Sequence, residues 1–232
     1  LGLGGVIENS MPFNLDMNGA LLKYATAQLL TRIDDNGKEH YIFCAPEGLQ
    51  PEYRFDRTTL KAGKEYYKPM PGVKSTFTVT SREGKKVMVT TLTREQALNL
   101  VKLDNRVLIT KATVLPEEGR CTLLSMGENK IDYILYPSKH GWKQQTIEVE
   151  EVKPIMEWKK VGSRRMVVHL EQPDYPQVHE YFLNIYYTGD VAMAFMNGYL
   201  ELDHFYYGAP WTIGLKRFRS QLEKYDMNFY IR

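Results

Sequence analysis

Cysteine is scarce: Cys44 and Cys121 are the only two in 232 residues. A disulfide framework is therefore excluded as the source of stability, a single bridge between them stays open, and the redox compartment is undecided. Cys44 sits in an apolar run, where a free thiol behaves as a small core residue. Charge of one sign is missing too, with 30 Lys and Arg against 28 Asp and Glu. So balanced a chain has no global field to hold nucleic acid or an anionic membrane, and neither is expected as a partner. The local basic groups, Lys159-Lys160, Arg164-Arg165 and Lys216-Arg217 with Arg219, have no accompanying ladder of aromatic residues and read as solvated faces.

Recognisable catalytic and metal motifs are absent. There is no GxSxG elbow, and neither cysteine stands in a nucleophile signature. His40, His140, His169, His179 and His204 never take a helical metal-ligand spacing. The acidic turn Asp34-Asp35-Asn36-Gly37 lacks the spaced oxygens and distal Glu of a calcium loop. Gly2, Gly4 and Gly5 precede no helix and form no phosphate cradle. No cofactor or metal is expected. No uninterrupted apolar run approaches the length of a bilayer span. The first residues carry neither an initiating Met nor a signal-peptide apolar core, so the chain reads as a piece of a longer polypeptide.

What the sequence has is β material. Tyrosine occurs 16 times, and aromatic and β-branched residues recur in short runs between turn signals. Hairpins are expected across residues 34–37 and across residues 82–85, the latter between strands at 76–80 and 87–92. Thr93 with Gln96 forms a capping-box pattern, and Ala97, Leu98, Leu100, Val101 and Leu103 supply an apolar face, which predicts a helix of about three turns. A strand then follows from Arg106 to Val114. Residues 116–119 read as a break, which places the boundary between two units there: 1–116 a β-sandwich, 117–232 a jelly roll. The break is too short to be a flexible linker, so two packed units are expected. In the second unit, strands are expected near 121–125, 131–136, 146–152, 166–170 and 181–187, with Pro173 and Pro176 in a loop.

The most informative stretch is residues 186–218. Val191, Met193 and Phe195 alternate with Ala192, Ala194 and Met196, which predicts a strand buried on both faces. Asn197-Gly198 is the pair best suited to a two-residue hairpin turn, and the return strand ends in Asp203, His204, Phe205, Tyr206 and Tyr207 before Gly208 and Pro210 turn the chain towards Trp211. Sugar rings offer C–H faces to aromatic planes and hydroxyls to polar groups, so Trp211, Tyr206, Tyr207, His204 and Asp203 are the candidate carbohydrate-binding residues. Trp211, stiffened by Pro210, is the expected contact ring. Asp203 is expected to anchor backbone groups at the strand end. Ordinary β core remains the alternative reading of the cluster.

Four segments carry a family resemblance: LLKYATAQLLTRI (21–33), KEHYIFCAPEGLQPEYRFD (38–56), TLTREQALNLVKL with DNRVLIT (91–110), and TGDVAMAFMNGYLELDHFYYGAPWTIGLKRF (188–218). Together they resemble the non-catalytic region that follows the barrel in bacterial β-galactosidase-like proteins of glycoside hydrolase family 35. The resemblance implies an all-β accessory region of two packed β-sandwich units with one short α-helix, the second unit similar to galactose-binding-like jelly rolls. It also implies a parent polypeptide with a catalytic barrel, a galactose-containing glycan as a possible partner, and a periplasmic or extracellular location. The alternating strands and helices of that barrel and its glutamate motifs are absent here, so no catalytic residue carries over. Carbohydrate binding and bracing of the barrel are both open at this point.

Overall fold

Asn-Gly pairs punctuate the chain because both positions of a tight hairpin turn need positive φ. Asn18, Asn36 and Asn197 stand at φ 52°, 53° and 48°, each followed by a positive-φ glycine. The computed structural model describes residues 11–171, 175–176 and 178–232. It is all-β, with several sheets and only short helices. The chain divides into two compact units between Val149 and Glu150.

In the first unit one sheet has the order Phe13–Met17, Ala20–Ala25, Tyr53–Phe55, Tyr66–Tyr67. A second runs Gln28–Asp35, Lys38–Cys44, Lys86–Leu92, Phe77–Ser81, Leu60–Ala62. Both hairpins expected from turn chemistry form within it. Met17, Leu22, Tyr53 and Phe55 of the first sheet share a core with Phe43, Val79, Val87 and Val89 of the second. The other face of the second sheet is buried as well: Ile33, Ile42 and Leu92 meet Val107, Ile109 and Tyr136 of a third sheet. That third sheet is ordered Leu100–Leu103, Arg106–Thr110, Lys130–Ser138, Gly141–Glu148. Burial on both faces explains the unbroken run from His40 to Cys44, and it accompanies a parallel pairing between Lys38–Cys44 and Lys86–Leu92.

Two expectations change here. The predicted three-turn helix stops after Arg94–Leu98, although its capping box forms as read, Gln96 N–H donating to Thr93 and Thr93 N–H to the Gln96 side chain. Leu100–Leu103 instead pairs with Arg106–Thr110, and the ladder outweighs the weak propensity of so short a helix. Residues 116–119 do not separate units. They turn the hairpin of Thr113–Glu117 with Arg120–Leu124, while Arg106–Thr110 pairs with Lys130–Ser138, so a cut at 116/117 would split a sheet. Cys44 is buried, Cys121 half-buried, and both thiols are free.

The second unit is a sandwich of a five-stranded and a two-stranded sheet. The larger runs Met156–Gly162, Arg165–Leu170, Met227–Ile231, Val191–Met196, Tyr199–Phe205, all antiparallel. The smaller pairs Phe182–Ile185 with Trp211–Gly214. Directly paired residues share a face, so the register fixes which side chains are inside. Ala192, Ala194, Met196, Val168, Met227 and Phe229 form the core face, covered by Ile185, Trp211, Ile213, Leu215, Phe218 and Leu222. Val191, Met193 and Phe195 lie on the opposite face, where they are half-buried. Val191–Met196 is thus an interior strand with one fully buried face. Lys159 and Lys160 lie on the exposed edge strand Met156–Gly162, in keeping with a solvated face. Of the expected loop prolines, Pro173 lies outside the described residues, as do Gly2, Gly4 and Gly5.

Candidate functional site

The hairpin of Val191–Met196 and Tyr199–Phe205 pairs Val191 with Phe205, Ala192 with His204 and Met193 with Asp203. Because Ala192 belongs to the core face, so does His204. Asp203 and Phe205, one residue either side, face the other way. The five predicted residues are therefore divided by the sheet itself. His204 is joined to Tyr207 and Trp211, while Asp203 stands apart, exposed and without a hydrogen bond among the described residues. An exposed carboxylate has water for a partner, so the expected anchoring role is not filled.

Trp211, the expected contact ring, is a core residue at 6% exposure. It pairs with Ile185, and the alternation of its strand turns Trp211 and Ile213 inward. One ring face stacks on His204, with centroids 5.5 Å apart and planes 10° from parallel, and Phe229 meets it edge-on at 5.9 Å. No face is left for a ligand. Glu180 ties down the end of the same strand: its Oε1 accepts from the backbone N–H of Tyr181 and of Lys216, each at 2.9 Å. A Cβ on Gly214 would lie 2.9 Å from Glu180 Oε2, so the Glu180 carboxylate would have to shift to admit a larger residue there.

The rings that reach solvent are Tyr206 at 48%, Tyr207 at 75% and Phe205 at 70% exposure. Sequence reasoning missed Tyr187, which organises them. Its hydroxyl lies 2.7 Å from His204 Nδ1 and donates to the His204 carbonyl at 3.1 Å, and its ring meets Tyr206 edge-on at 5.4 Å. Burial, followed by the nearby Tyr206, raises the Tyr187 hydroxyl above its ordinary range, so it stays protonated at neutral pH. Tyr186-Tyr187 just before Thr188-Gly189 was the available signal. The resulting edge has a buried base of Trp211 and Phe229, a middle layer of His204 and Tyr187, and an outer layer of Tyr206 and Tyr207. It can present flat apolar faces and phenolic hydroxyls at positions fixed by the layer beneath.

Compared with protein-family models the chain matches none, and a comparison with curated proteins gives no match.

Proposed function

We propose that this chain is a non-catalytic accessory region of a β-galactosidase-like glycoside hydrolase, and that the ring edge of its second unit contacts a galactose-containing glycan. The observation that carries the reading is the exposure of Tyr206 and Tyr207 above a fixed His204–Tyr187–Trp211 base. Tyrosine suits such a surface, because its ring takes a sugar's C–H face while its hydroxyl exchanges hydrogen bonds with the sugar's own. Held rings also lose little conformational entropy on binding. The family likeness of residues 188–218 supplies the ligand class and the galactose-binding-like character of the unit.

A calorimetric titration with galactose-containing oligosaccharides tests this. Tyr207→Ala should weaken binding by about fivefold or more, the equivalent of about 1 kcal/mol for a lost stacked ring. No heat from the parent chain, or equal affinity in the variant, rejects the glycan contact. The non-catalytic half of the proposal expects no turnover of aryl β-galactosides above background.

Bracing of a neighbouring catalytic barrel is the second reading, favoured by Phe205 and Leu200, exposed apolar residues on the edge strand Tyr199–Phe205. A phenylalanine has no hydroxyl to share with a sugar, and a protein partner would cover it more profitably. If Phe205→Ser weakens association with a barrel added in trans while Tyr207→Ala leaves glycan binding unchanged, bracing replaces binding.

A further inference from the structure

We infer that the outer face of the five-stranded sheet of the second unit holds a separate binding site, a cleft for a carboxylate-bearing sugar such as a hexuronate. Two rows of side chains build it. Lys159, Val167, Asn228 and Phe195 are cross-strand partners in succession, and so are Arg165, Tyr230 and Met193. Directly paired residues share a face, so each row lies on the side away from Trp211 and His204. The ring edge and this cleft are thus on opposite faces of one sheet.

The cleft has a volume of about 560 Å³ and is lined by Val161, Arg165, Phe195, Gly198, Asn228 and Tyr230 among others. That is room for one or two sugar rings. At the turn, nothing stands within 4 Å of the position a Gly198 Cβ would take, so the mouth is open there. The Arg165 guanidinium lies 5.8 Å from the centroid of the Tyr230 ring. Arg165 and Lys159 are both exposed, and neither is in an ion pair among the described residues. With no acid in ion-pair contact with it among the described residues, the Arg165 guanidinium is open to a ligand carboxylate.

Each lining group answers one part of a uronate. A guanidinium binds a carboxylate through two parallel N–H···O bonds, which fixes the sugar's orientation as well as its charge. The Asn228 amide nitrogen already donates to the Asp226 carbonyl at 3.2 Å, which turns its oxygen out to accept from a sugar hydroxyl. Tyr230 and Phe195 supply apolar surface for the C–H face. The single guanidinium inside the cleft, with rings rather than further cations around it, suits one carboxylate better than a polyphosphate track. Only the ligand's class rests on the carbohydrate reading given above; the cleft's geometry and charge stand without it.

The test is calorimetry of the whole chain with trigalacturonate and with its methyl ester, which keeps the sugar and removes the charge. The acid should bind about tenfold or more tightly than the ester, as charge-assisted pairing requires. Arg165→Gln should abolish that difference, and Tyr230→Leu should weaken both ligands. Thermal unfolding is run alongside, and Tyr230→Leu carries the test if Arg165→Gln does not fold. Tyr207→Ala should leave the acid's affinity unchanged, which separates this site from the ring edge: absence of galactan binding by the unaltered chain, with uronate binding intact, rejects the earlier proposal and keeps this one. Absence of binding by the acid, equal affinity for the ester, no effect of either variant, or equal competition by poly-glutamate or single-stranded DNA overturns the inference.

Discussion

Acidification should destabilise the first unit through His40, well before the carboxylates titrate. His40 is fully buried at 0% exposure, with its Nε2 2.7 Å from Thr90 Oγ1 and its Nδ1 without a partner. Thr90 Oγ1 also accepts from Trp142 Nε1 at 3.2 Å and lies 2.5 Å from Thr76 Oγ1, and Thr76 donates to the Val73 carbonyl. A consistent assignment has His40 Nε2–H donating to Thr90, Thr90 donating to Thr76, and a bare lone pair on Nδ1. The alternative leaves a buried N–H orphaned, which is the rarer and costlier fault. Protonating Nδ1 would create that orphan and a buried charge together, and burial accordingly lowers the His40 pKa from 6.5 to about 4. The folded state therefore binds fewer protons than the unfolded state between those values, so stability rises with pH across the window. The contribution is complete above pH 6.5 and is lost as pH falls towards 4. In full it amounts to about 3 kcal/mol, with about 2 kcal/mol gone by pH 5. Urea denaturation of wild type and His40→Leu, from pH 7.5 to 4.5, measures it. The variant loses one hydrogen bond but also the orphaned nitrogen, so at pH 7.5 the two should agree within about 1–2 kcal/mol. The wild type should then fall relative to the variant as pH drops. Parallel stability curves for the two proteins across this range would refute the reasoning.

Other substitutions test the remaining structural claims. Gly189→Ala would place a Cβ 2.6 Å from the Arg232 carbonyl oxygen and 2.9 Å from Ile231 Cγ2, where the last strand docks; a loss of about 2 kcal/mol or more is expected in thermal unfolding. Trp211→Ala should cost about 3–5 kcal/mol as a core deletion, whereas Tyr207→Ala should stay within about 0.5 kcal/mol of wild type. Thr93→Ala removes half of the capping box and should cost about 1 kcal/mol, read from the denaturation midpoint.

Local signals were legible in the sequence wherever a turn dictated them. Asn36-Gly37, residues 82–85 and Asn197-Gly198 all turn the hairpins that their chemistry requires, and Thr93 with Gln96 caps the helix start. Features decided at long range were not legible. Leu100, Val101 and Leu103 fit a helical stripe as well as a strand, and only pairing with Arg106–Thr110 settles the choice. Residues 116–119 look like a domain break because turns and linkers use the same residues; that Lys130–Ser138 returns to Arg106–Thr110 is invisible locally. In the candidate site, the grouping of His204, Tyr207 and Trp211 along the chain coincides with real ring contacts, whereas the ring partner of Tyr206 is Tyr187. Proximity in sequence could not show that strand alternation sends Asp203 to the opposite face or that His204 and Phe229 consume the surfaces of Trp211.

The glycan contact is tested most directly by fluorine NMR of the chain labelled with fluorotyrosine, with resonances assigned by single Tyr→Phe variants and followed during titration with galacto-oligosaccharides. The account predicts that the Tyr206 and Tyr207 signals shift together along one binding curve, with Tyr187 responding weakly through its contact with Tyr206 and the buried Tyr53 not at all. Saturating glycan that leaves Tyr206 and Tyr207 unmoved would contradict it.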